Sequence, residues 1–225
     1  MRAPRPGVPW YVHPAADPGA WRDMAERFAA ADGIDDGFVV VNVHNGPGEP
    51  NDPYYGPALS ELGATAPGLA VLGYIDVDYG TRVVDEVLRD AEAWRRRYGV
   101  TGVMLDRFPS GDPGDAGSVR ALEAVSRLRA DGTTHIAGNP GTVPDPATAE
   151  ALDVVCEFEG TASDYAAVSG SLSFRPGRWH LVHGCSPTEL AGVRTTATGL
   201  GVDYLLVTDR VLPHPWNGFP EKEAS

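Results

Sequence analysis

Eight strand-like segments follow one another along the chain with helix-like segments between them, and this alternation constrains the fold more than any other feature. The strand-like segments are short and apolar, and none is joined to the next by a hairpin turn. Strands that alternate with helices pair in parallel. The predicted strands are Val8–His13, Phe38–Val43, Leu69–Ile75, Gly102–Leu105, Thr134–Gly138, Val154–Phe158, His180–His183 and Tyr204–Val207.

The intervening segments have the spacing and the end signals of amphipathic helices. After the third strand, Val84, Val87 and Trp94 recur at helical spacing and share one face. After the seventh strand, Ser186 and Glu189 have the spacing of a capping box, which marks the start of a helix.

Eight such units predict a single (β/α)8 barrel of the TIM type rather than an open, doubly wound sheet. An open sheet more often has five or six strands and a glycine-rich phosphate turn after the first one. The glycine cluster Gly46-Pro47-Gly48 follows the second strand instead, and no lysine accompanies it. A chain of 225 residues suffices for one barrel with short loops, so residues 1–225 are expected to form one domain with an irregular tail from about Pro213.

A formal net charge of −13 argues against nucleic acid or an anionic membrane as a partner, because phosphate groups are bound by clustered Lys and Arg. No apolar run approaches the roughly 20 residues of a membrane span. Two cysteines are too few for a disulfide framework or a structural zinc site. The N-terminal residues lack the apolar core of a secretion signal, so a cytoplasmic protein is expected, or an extracellular one if a signal was removed. The oligomeric state is unknown from the sequence.

Polar residues stand where the predicted strands end, and these ends form the active-site rim of a barrel. Asp78 is expected to cap a loop and Asp209 to be structural, while His13 and His44 either bind substrate or bond to loop backbone. The rim residues are His13, His44, Asn45, Asp76, Asp78, Asp106, Arg107, Asn139, Glu157, Glu159, His183, Thr208 and Asp209.

Asp106 and Glu159 are the predicted catalytic pair, with Glu157 as a third candidate. Side chains alternate along a strand, so Glu157 and Glu159 are expected on the same side. Carboxyl groups crowded in a partly dry site repel each other, which raises the pKa of one of them and suits it to general acid catalysis. Two carboxyl groups flanking the scissile bond are the arrangement of a glycosidase.

A metal site is an open alternative, because carboxylate and imidazole groups from several strand ends would converge at one rim. The residues that would form it are His44, Asp76, Asp106 and Glu159. Nothing in their spacing requires a metal, so we predict neither a metal nor a cofactor.

A set of short motifs runs in order over nearly the whole chain. They are Pro9-Trp10-Tyr11-Val12-His13-Pro14 with Trp21, Val41-Asn42 with Gly46-Pro47-Gly48, Gly73-Tyr74 with Tyr79-Gly80-Thr81-Arg82, Tyr98-Gly99-Val100 with Asp106, Asn139-Pro140-Gly141-Thr142, Phe158-Glu159-Gly160, His183, and Val207-Thr208-Asp209. The set resembles that of the spherulation-specific family 4 (spherulin-type) proteins. The resemblance implies a (β/α)8 barrel and a glycoside hydrolase that cuts α-1,4-linked N-acetylgalactosamine or galactosamine polymers outside the cell.

The resemblance also implies an essential acidic cluster, made of an Asp-Glu pair on strand four and a Glu on strand six. Asp106 and Glu159 match the first and the last of these acids. Arg107 replaces the second, and a guanidinium exchanges no proton near neutral pH. Three charged or titratable residues stand where the family is expected to carry mostly uncharged ones, namely His44, Asp76 and Glu157.

Three functions are compatible with the sequence. The first is a glycosidase acting on an oligosaccharide with Asp106, Glu159 and Glu157 as its catalytic carboxyl groups. The second is an intracellular natural-product tailoring enzyme that performs acid–base hydrolysis, elimination or cyclisation on a small molecule, and the third is an inactive carbohydrate-binding barrel. The predicted substrate-binding residues are His44, Tyr74, Asp76, Arg107, Asn139, His183 and Tyr11. Aromatic residues that would pack against a sugar are Trp10, Tyr11, Tyr54, Tyr55, Tyr79 and Trp216.

Overall fold

Eight parallel strands close into a barrel in chain order, which confirms the predicted (β/α)8 fold. The computed structural model describes residues 2–30, 37–48, 51–168 and 177–220. The strands are β1 (Arg5–Trp10), β2 (Phe38–Val41), β3 (Ala70–Asp76), β4 (Gly102–Asp106), β5 (Ile136–Asn139), β6 (Val154–Thr161), β7 (Gly177–His183) and β8 (Tyr204–Val207). The helices are α1 (Pro18–Ala30), α2 (Tyr55–Thr65), α3 (Val84–Tyr98), α4 (Ala116–Ala130), α5 (Pro146–Ala149), α6 (Ala162–Tyr165) and α7 (Pro187–Leu200). None of the helices in these ranges is long and apolar enough to cross a membrane.

Several strands have other ends than those predicted, because pairing with a neighbouring strand decides where a strand stops. β1 begins at Arg5 rather than Val8, since Arg5 pairs with Tyr204 and so closes the barrel. β6 continues to Thr161 instead of ending at Phe158, since β7 offers it partners along that length.

The helix features that the sequence predicts are present in α7 and α3. At the start of α7, the side chain of Ser186 and that of Glu189 form the predicted capping box. The Trp94 ring of α3 lies against β3, where its indole N–H donates to the Tyr74 carbonyl at 2.9 Å. Gly73 allows this approach, because a Cβ atom there would lie 2.5 Å from the Trp94 ring. The helix is therefore fixed closely on the strand that carries Tyr74.

The segment of residues 213–220, here called the tail segment, carries no helix or strand and folds back toward β1. Its Trp216 carbonyl accepts a hydrogen bond from the Tyr11 N–H at 3.2 Å. The Phe219 ring packs against Trp10 at 5.4 Å and Phe28 at 6.4 Å between ring centroids. These contacts bring Trp216 to the barrel end at which the strands finish.

Candidate active site

A cavity of about 170 Å³ lies at the C-terminal end of the barrel, and we call it the mouth cavity. Asp106 of β4 and Glu159 of β6 both line it, so the prediction that these two acids meet at one opening is confirmed. The complete lining is Pro9, Tyr11, Asn42, Tyr74, Met104, Asp106, Asn139, Glu159, Trp179, Leu181 and Trp216.

Asp106 is half-buried, and its Oδ2 atom accepts a hydrogen bond from the Tyr74 hydroxyl at 2.6 Å. Burial raises the pKa of Asp106, and the charge of Asp76 raises it further. The bonds from the Tyr74 hydroxyl and the Arg107 backbone oppose this rise without reversing it. A carboxyl group of this kind holds its proton at higher pH than a free aspartate does.

Glu159 accepts two hydrogen bonds, one from Asn139 Nδ2 at 2.7 Å and one from Trp216 Nε1 at 3.1 Å. The Gly141 N–H donates to Asn139 Oδ1 at 3.0 Å, which fixes the orientation of this amide. Glu159 is exposed to solvent on one side, but desolvation of its carboxyl group by the surrounding protein raises its pKa. The charge of Asp106 adds to that rise, so the two carboxyl groups are coupled.

The partners of the two acids differ in what they can do when a proton moves. The Tyr74 hydroxyl can donate to an ionised Asp106 or accept from a protonated one. Asn139 Nδ2 and Trp216 Nε1 are donors only, so they match the ionised form of Glu159. The hydrogen-bond partners therefore allow Asp106 to exchange a proton, and those of Glu159 favour its carboxylate form against the opposing effect of burial.

Aromatic rings form much of the wall of the mouth cavity. Tyr11 meets Tyr74 edge to face with 6.2 Å between ring centroids, and burial raises the pKa of Tyr11 so that its hydroxyl stays protonated. His183 is buried and packs against the ring of Trp216 at 5.9 Å. A positive charge on His183 would lower the pKa of Glu159, although His183 itself does not line the cavity.

Arg107 and Asp76 do not line the mouth cavity; they pair with each other at its rim. Arg107 Nε donates to Asp76 Oδ1 at 2.9 Å, and Arg107 Nη1 lies 2.7 Å from Asp78 Oδ1. Burial acts to raise the pKa of Asp76, but the bonds from Arg107 hold it below its usual value. The backbone of Arg107 is left-handed, with φ 53°. Because neither Arg107 nor Asp76 lines the cavity, their predicted role in substrate binding is not supported.

His44 also lies outside the mouth cavity, on the exposed loop after β2. The strand was predicted to run to Val43, but β2 ends at Val41. The strand-end position therefore belongs to Asn42, which lines the cavity and whose Oδ1 accepts from the Gly46 N–H at 3.0 Å. His13 does not line the mouth cavity either, and its Nε2 atom lies 2.9 Å from Asp52 Oδ2.

The prediction that Glu157 and Glu159 share one side of β6 is wrong. The register between β6 and β7 shifts between Cys156 and Phe158, so Glu157 is an extra residue in a β-bulge. Its carboxylate is fully buried in a separate polar cluster with Arg178 at 2.6 Å. Glu157 is absent from the lining of the mouth cavity.

Trp216 was named among possible aromatic contacts but not among the site residues, and it proves to be both a wall of the cavity and a donor to Glu159. Asn42 was noted only within a motif. A strand end placed correctly at Val41 would have identified Asn42, whereas nothing local in the sequence gives the path of the tail segment.

Across the described ranges, no group of three or more His, Cys, Asp or Glu side chains is arranged to hold a metal ion. His44, which the metal alternative requires, lies on the exposed loop away from Asp106 and Glu159. The chemistry that this site can supply with its own residues is proton transfer, nucleophilic attack by a carboxylate and hydrogen bonding to a polar ligand.

Comparisons with known proteins agree with this architecture. A family model described as spherulation-specific family 4 matches residues 7–224. Spherulin-4 of Physarum polycephalum is 26% identical over 216 residues, which are 90% of this chain and 62% of that protein. The chain thus spans less than two thirds of the length of this relative.

A solved structure is similar over nearly the whole barrel. The crystal structure of Aspergillus clavatus Sph3 in complex with GalNAc aligns with a TM-score of 0.78 and 24% sequence identity, over 98% of this chain and 94% of that one. At this identity the likeness shows a common fold, and the ligand is a property of that protein.

Proposed function

The chain belongs to spherulation-specific family 4, and from this premise we propose that it is a glycoside hydrolase that cleaves the glycosidic bond of a galactosamine-type amino sugar. The observation that carries the proposal is that Asp106 and Glu159, from different strands, line one small polar cavity at the mouth of the barrel. The common fold with Sph3, whose structure is a complex with GalNAc, supports a sugar as the ligand class.

The size of the mouth cavity suits one sugar ring. Its volume of about 170 Å³ lies below the ~300 Å³ at which pockets for drug-sized ligands begin. A longer saccharide would place one unit in the cavity and extend outward past Glu159, which is open to solvent. The substrate we propose is therefore an oligosaccharide recognised through a single unit.

The two carboxyl groups take different roles in this proposal. Asp106, whose partner Tyr74 tolerates either protonation state, gives a proton to the leaving oxygen. Glu159, which is held by two donors, acts as the nucleophile or the base. Proton transfer of this kind contributes about 10²- to 10⁴-fold to the rate.

Polar and aromatic groups of the cavity would orient the sugar. Asn139 and Tyr74 offer hydrogen-bonding groups beside the two acids, and the rings of Tyr11 and Trp216 form walls against which a sugar can pack. Arg107 has no part in the chemistry, because both of its partners lie at the rim. The proposed mechanism thus needs two acids and not the three of the family pattern.

The second candidate is an enzyme that performs acid–base hydrolysis, elimination or cyclisation on a small molecule. The small volume of the mouth cavity favours it, because a free metabolite with one ring would fill that volume. The same two carboxyl groups would act in both cases, so only the substrate separates the candidates.

The test measures new reducing ends from α-1,4-linked galactosamine and N-acetylgalactosamine oligomers. We compare the wild type with Asp106→Asn, Glu159→Gln and the control Glu123→Gln, an exposed carboxylate of α4. The expected result is turnover by the wild type and the control and a loss of at least about 10²-fold in each active-site variant.

Other outcomes separate the alternatives. Turnover that survives both active-site substitutions would refute the site. Binding of the oligomers by the wild type without turnover would indicate a carbohydrate-binding barrel, and turnover confined to small glycosides would indicate the second candidate.

A further inference from the structure

The orientation of Glu159 depends on the β-bulge at Glu157. Trp179 and Leu181 are two residues apart on β7, and both line the mouth cavity. Their partners on β6 are Cys156 and Glu159, which are three residues apart. Since side chains alternate along a regular strand, residues three apart face opposite sides. The extra residue is what lets Cys156 and Glu159 both face inward.

Glu157 is held on the outer side of β6 by a buried polar cluster. Its Oε1 atom accepts from Arg178 Nε at 2.6 Å and lies 2.8 Å from His180 Nε2. The side chains of Glu157, Arg178 and His180 are 0%, 9% and 0% exposed. The second ring nitrogen of His180 lies 2.8 Å from the Tyr165 hydroxyl of α6, so the cluster ties the bulge to β7 and to the helix layer.

Stability alone is a weak explanation for this cluster. A buried ion pair loses about as much free energy in desolvation as it gains in attraction, and well-packed apolar residues often serve a fold equally well. Glu157 Oε2 is buried and has no hydrogen-bond partner among the described residues. The cluster instead lies at the one register shift between β6 and β7, two residues before Glu159.

We propose that Glu157, through Arg178 and His180, is a positioning residue that holds the bulge and so keeps Glu159 turned into the mouth cavity. Bulges commonly re-aim side chains next to active sites. If Glu157 loses its contacts with Arg178 and His180, β6 can pair with β7 in a regular register that has no extra residue. Glu159 then turns away from Asn139 and Trp216. The kinetic consequence rests on the proposed function, but the structural consequence does not.

The indole N–H signals of the tryptophans in a ¹⁵N NMR spectrum report on the bulge directly. Trp216 Nε1 donates to the Glu159 side chain, whereas Trp21, Trp94 and Trp179 donate to backbone carbonyls. In Glu157→Gln we expect the Trp216 signal to move to its position in Glu159→Ala, while the signals of those three other indoles stay in place.

A matched control separates positioning from a general loss of stability. Asp153 pairs with Arg129 and accepts from the Ile136 N–H at 2.8 Å, at the end of the barrel opposite the mouth cavity. Asp153→Asn removes the carboxylate that binds Arg129 and the Ile136 N–H, and it leaves the residues of the bulge unchanged. We expect the Trp216 signal of this variant to match the wild type.

A second variant guards against unfolding, because Glu157→Gln leaves Arg178 buried without a counter-charge. Glu157→Gln combined with Arg178→Met keeps the volume and buries no charge. If the bulge depends on the anchor, the Trp216 signal moves in this double variant too. A folded double variant with the Trp216 signal in its wild-type place would overturn the proposal.

Kinetics form the second readout. With a cleaved amino-sugar substrate, kcat of Glu157→Gln is expected to fall about 10²-fold at a nearly constant KM, since a displaced group loses rate more than binding. A fall in kcat with an unmoved Trp216 signal would also overturn the positioning role. Should the wild type cleave no amino sugar, the proposed function fails while the NMR comparison still decides whether Glu157 holds the bulge.

Discussion

Replacing Tyr74 by phenylalanine isolates the hydrogen bond that controls the proton on Asp106. The change removes the hydroxyl that donates to Asp106 Oδ2 at 2.6 Å and keeps the ring that packs on Tyr11. A hydrogen bond to a charged group contributes about 1.5–3 kcal/mol. The hydroxyl can also accept from protonated Asp106, which offsets part of this amount, so we take the lower end. About 1.4 kcal/mol is a factor of about ten in the ratio of protonated to ionised Asp106 at a fixed pH.

The sign of the change is fixed by the same contact. The Tyr74 hydroxyl acts to lower the pKa of Asp106, so its removal lets burial raise that pKa further. If Asp106 is the proton donor, the alkaline limb of the kcat/KM profile moves to higher pH in Tyr74→Phe. Carboxyl ¹³C titration by NMR measures the same change without a substrate, with the Asp106 signal assigned by its loss in Asp106→Asn.

Two comparisons make the titration decisive. Asp106 and Glu159 are coupled, so the measurement is repeated in Glu159→Gln, where the titration of Glu159 no longer overlaps that of Asp106. Tyr98→Phe is the control, because the Tyr98 hydroxyl donates to the Pro47 carbonyl at 3.2 Å, away from the mouth cavity. A pKa of Asp106 that falls or stays constant in Tyr74→Phe would refute the reasoning.

Three further predictions follow from the charges at the mouth cavity, at its rim and in the Glu157 cluster. Because burial raises the pKa of Asp106 in the folded state, its stability contribution is full below about pH 3.9 and is lost as pH rises through the raised value. Asp106→Asn should therefore become more stable relative to wild type between pH 4 and pH 7, measured by guanidinium unfolding at both values. A variant no more stable at pH 7 than at pH 4, relative to wild type, would contradict this. Arg107→Glu replaces the cation bound to Asp76 by an acid and is expected to lower stability by about 1–3 kcal/mol without raising activity. Adding Asp76→Asn should recover part of this loss in the same assay. A single variant as stable as the wild type would contradict the prediction. Arg178→Met alone leaves Glu157 buried without its cation and should cost about 3–5 kcal/mol, which lowers Tm by roughly 6–20 °C in calorimetry, while the double variant with Glu157→Gln loses much less. Equal losses in the single and the double variant would show that the pair is not coupled.

The barrel could be predicted because its signals are local. The capping box of Ser186 and Glu189 and the apolar face of α3 are readable within one helical turn or two. Eight repeats of such units leave few topologies once parallel pairing is assumed. Asp106 and Glu159 were found in the same way, since each directly follows a predicted strand, although β6 continues past Glu159 to Thr161.

Contacts between distant segments could not be predicted in this way. Trp216 reaches Glu159 because the tail segment is pinned to Tyr11 and packed by Phe219, and no repeat or spacing in the tail encodes that path. Glu157 was misplaced for a related reason. Whether β6 contains a bulge depends on how its residues pair with those of β7. The alternation of side chains along β6 therefore cannot be predicted from the sequence of β6 alone.

Arg107 and Asp76 form a single feature of the structure, although Arg107 follows β4 and Asp76 ends β3. An arginine next to Asp106 would by itself pull the pKa of that acid down, which would weaken it as a proton donor. Asp76 lies beside Asp106 in the register of β3 and β4, and its charge acts on Asp106 in the opposite direction. Since Asp76 also binds the Arg107 guanidinium, the cation is held at the rim and its effect is largely offset. Burial is then left as the main influence on Asp106, so this aspartate stays fit to carry a proton although an arginine follows it in the chain.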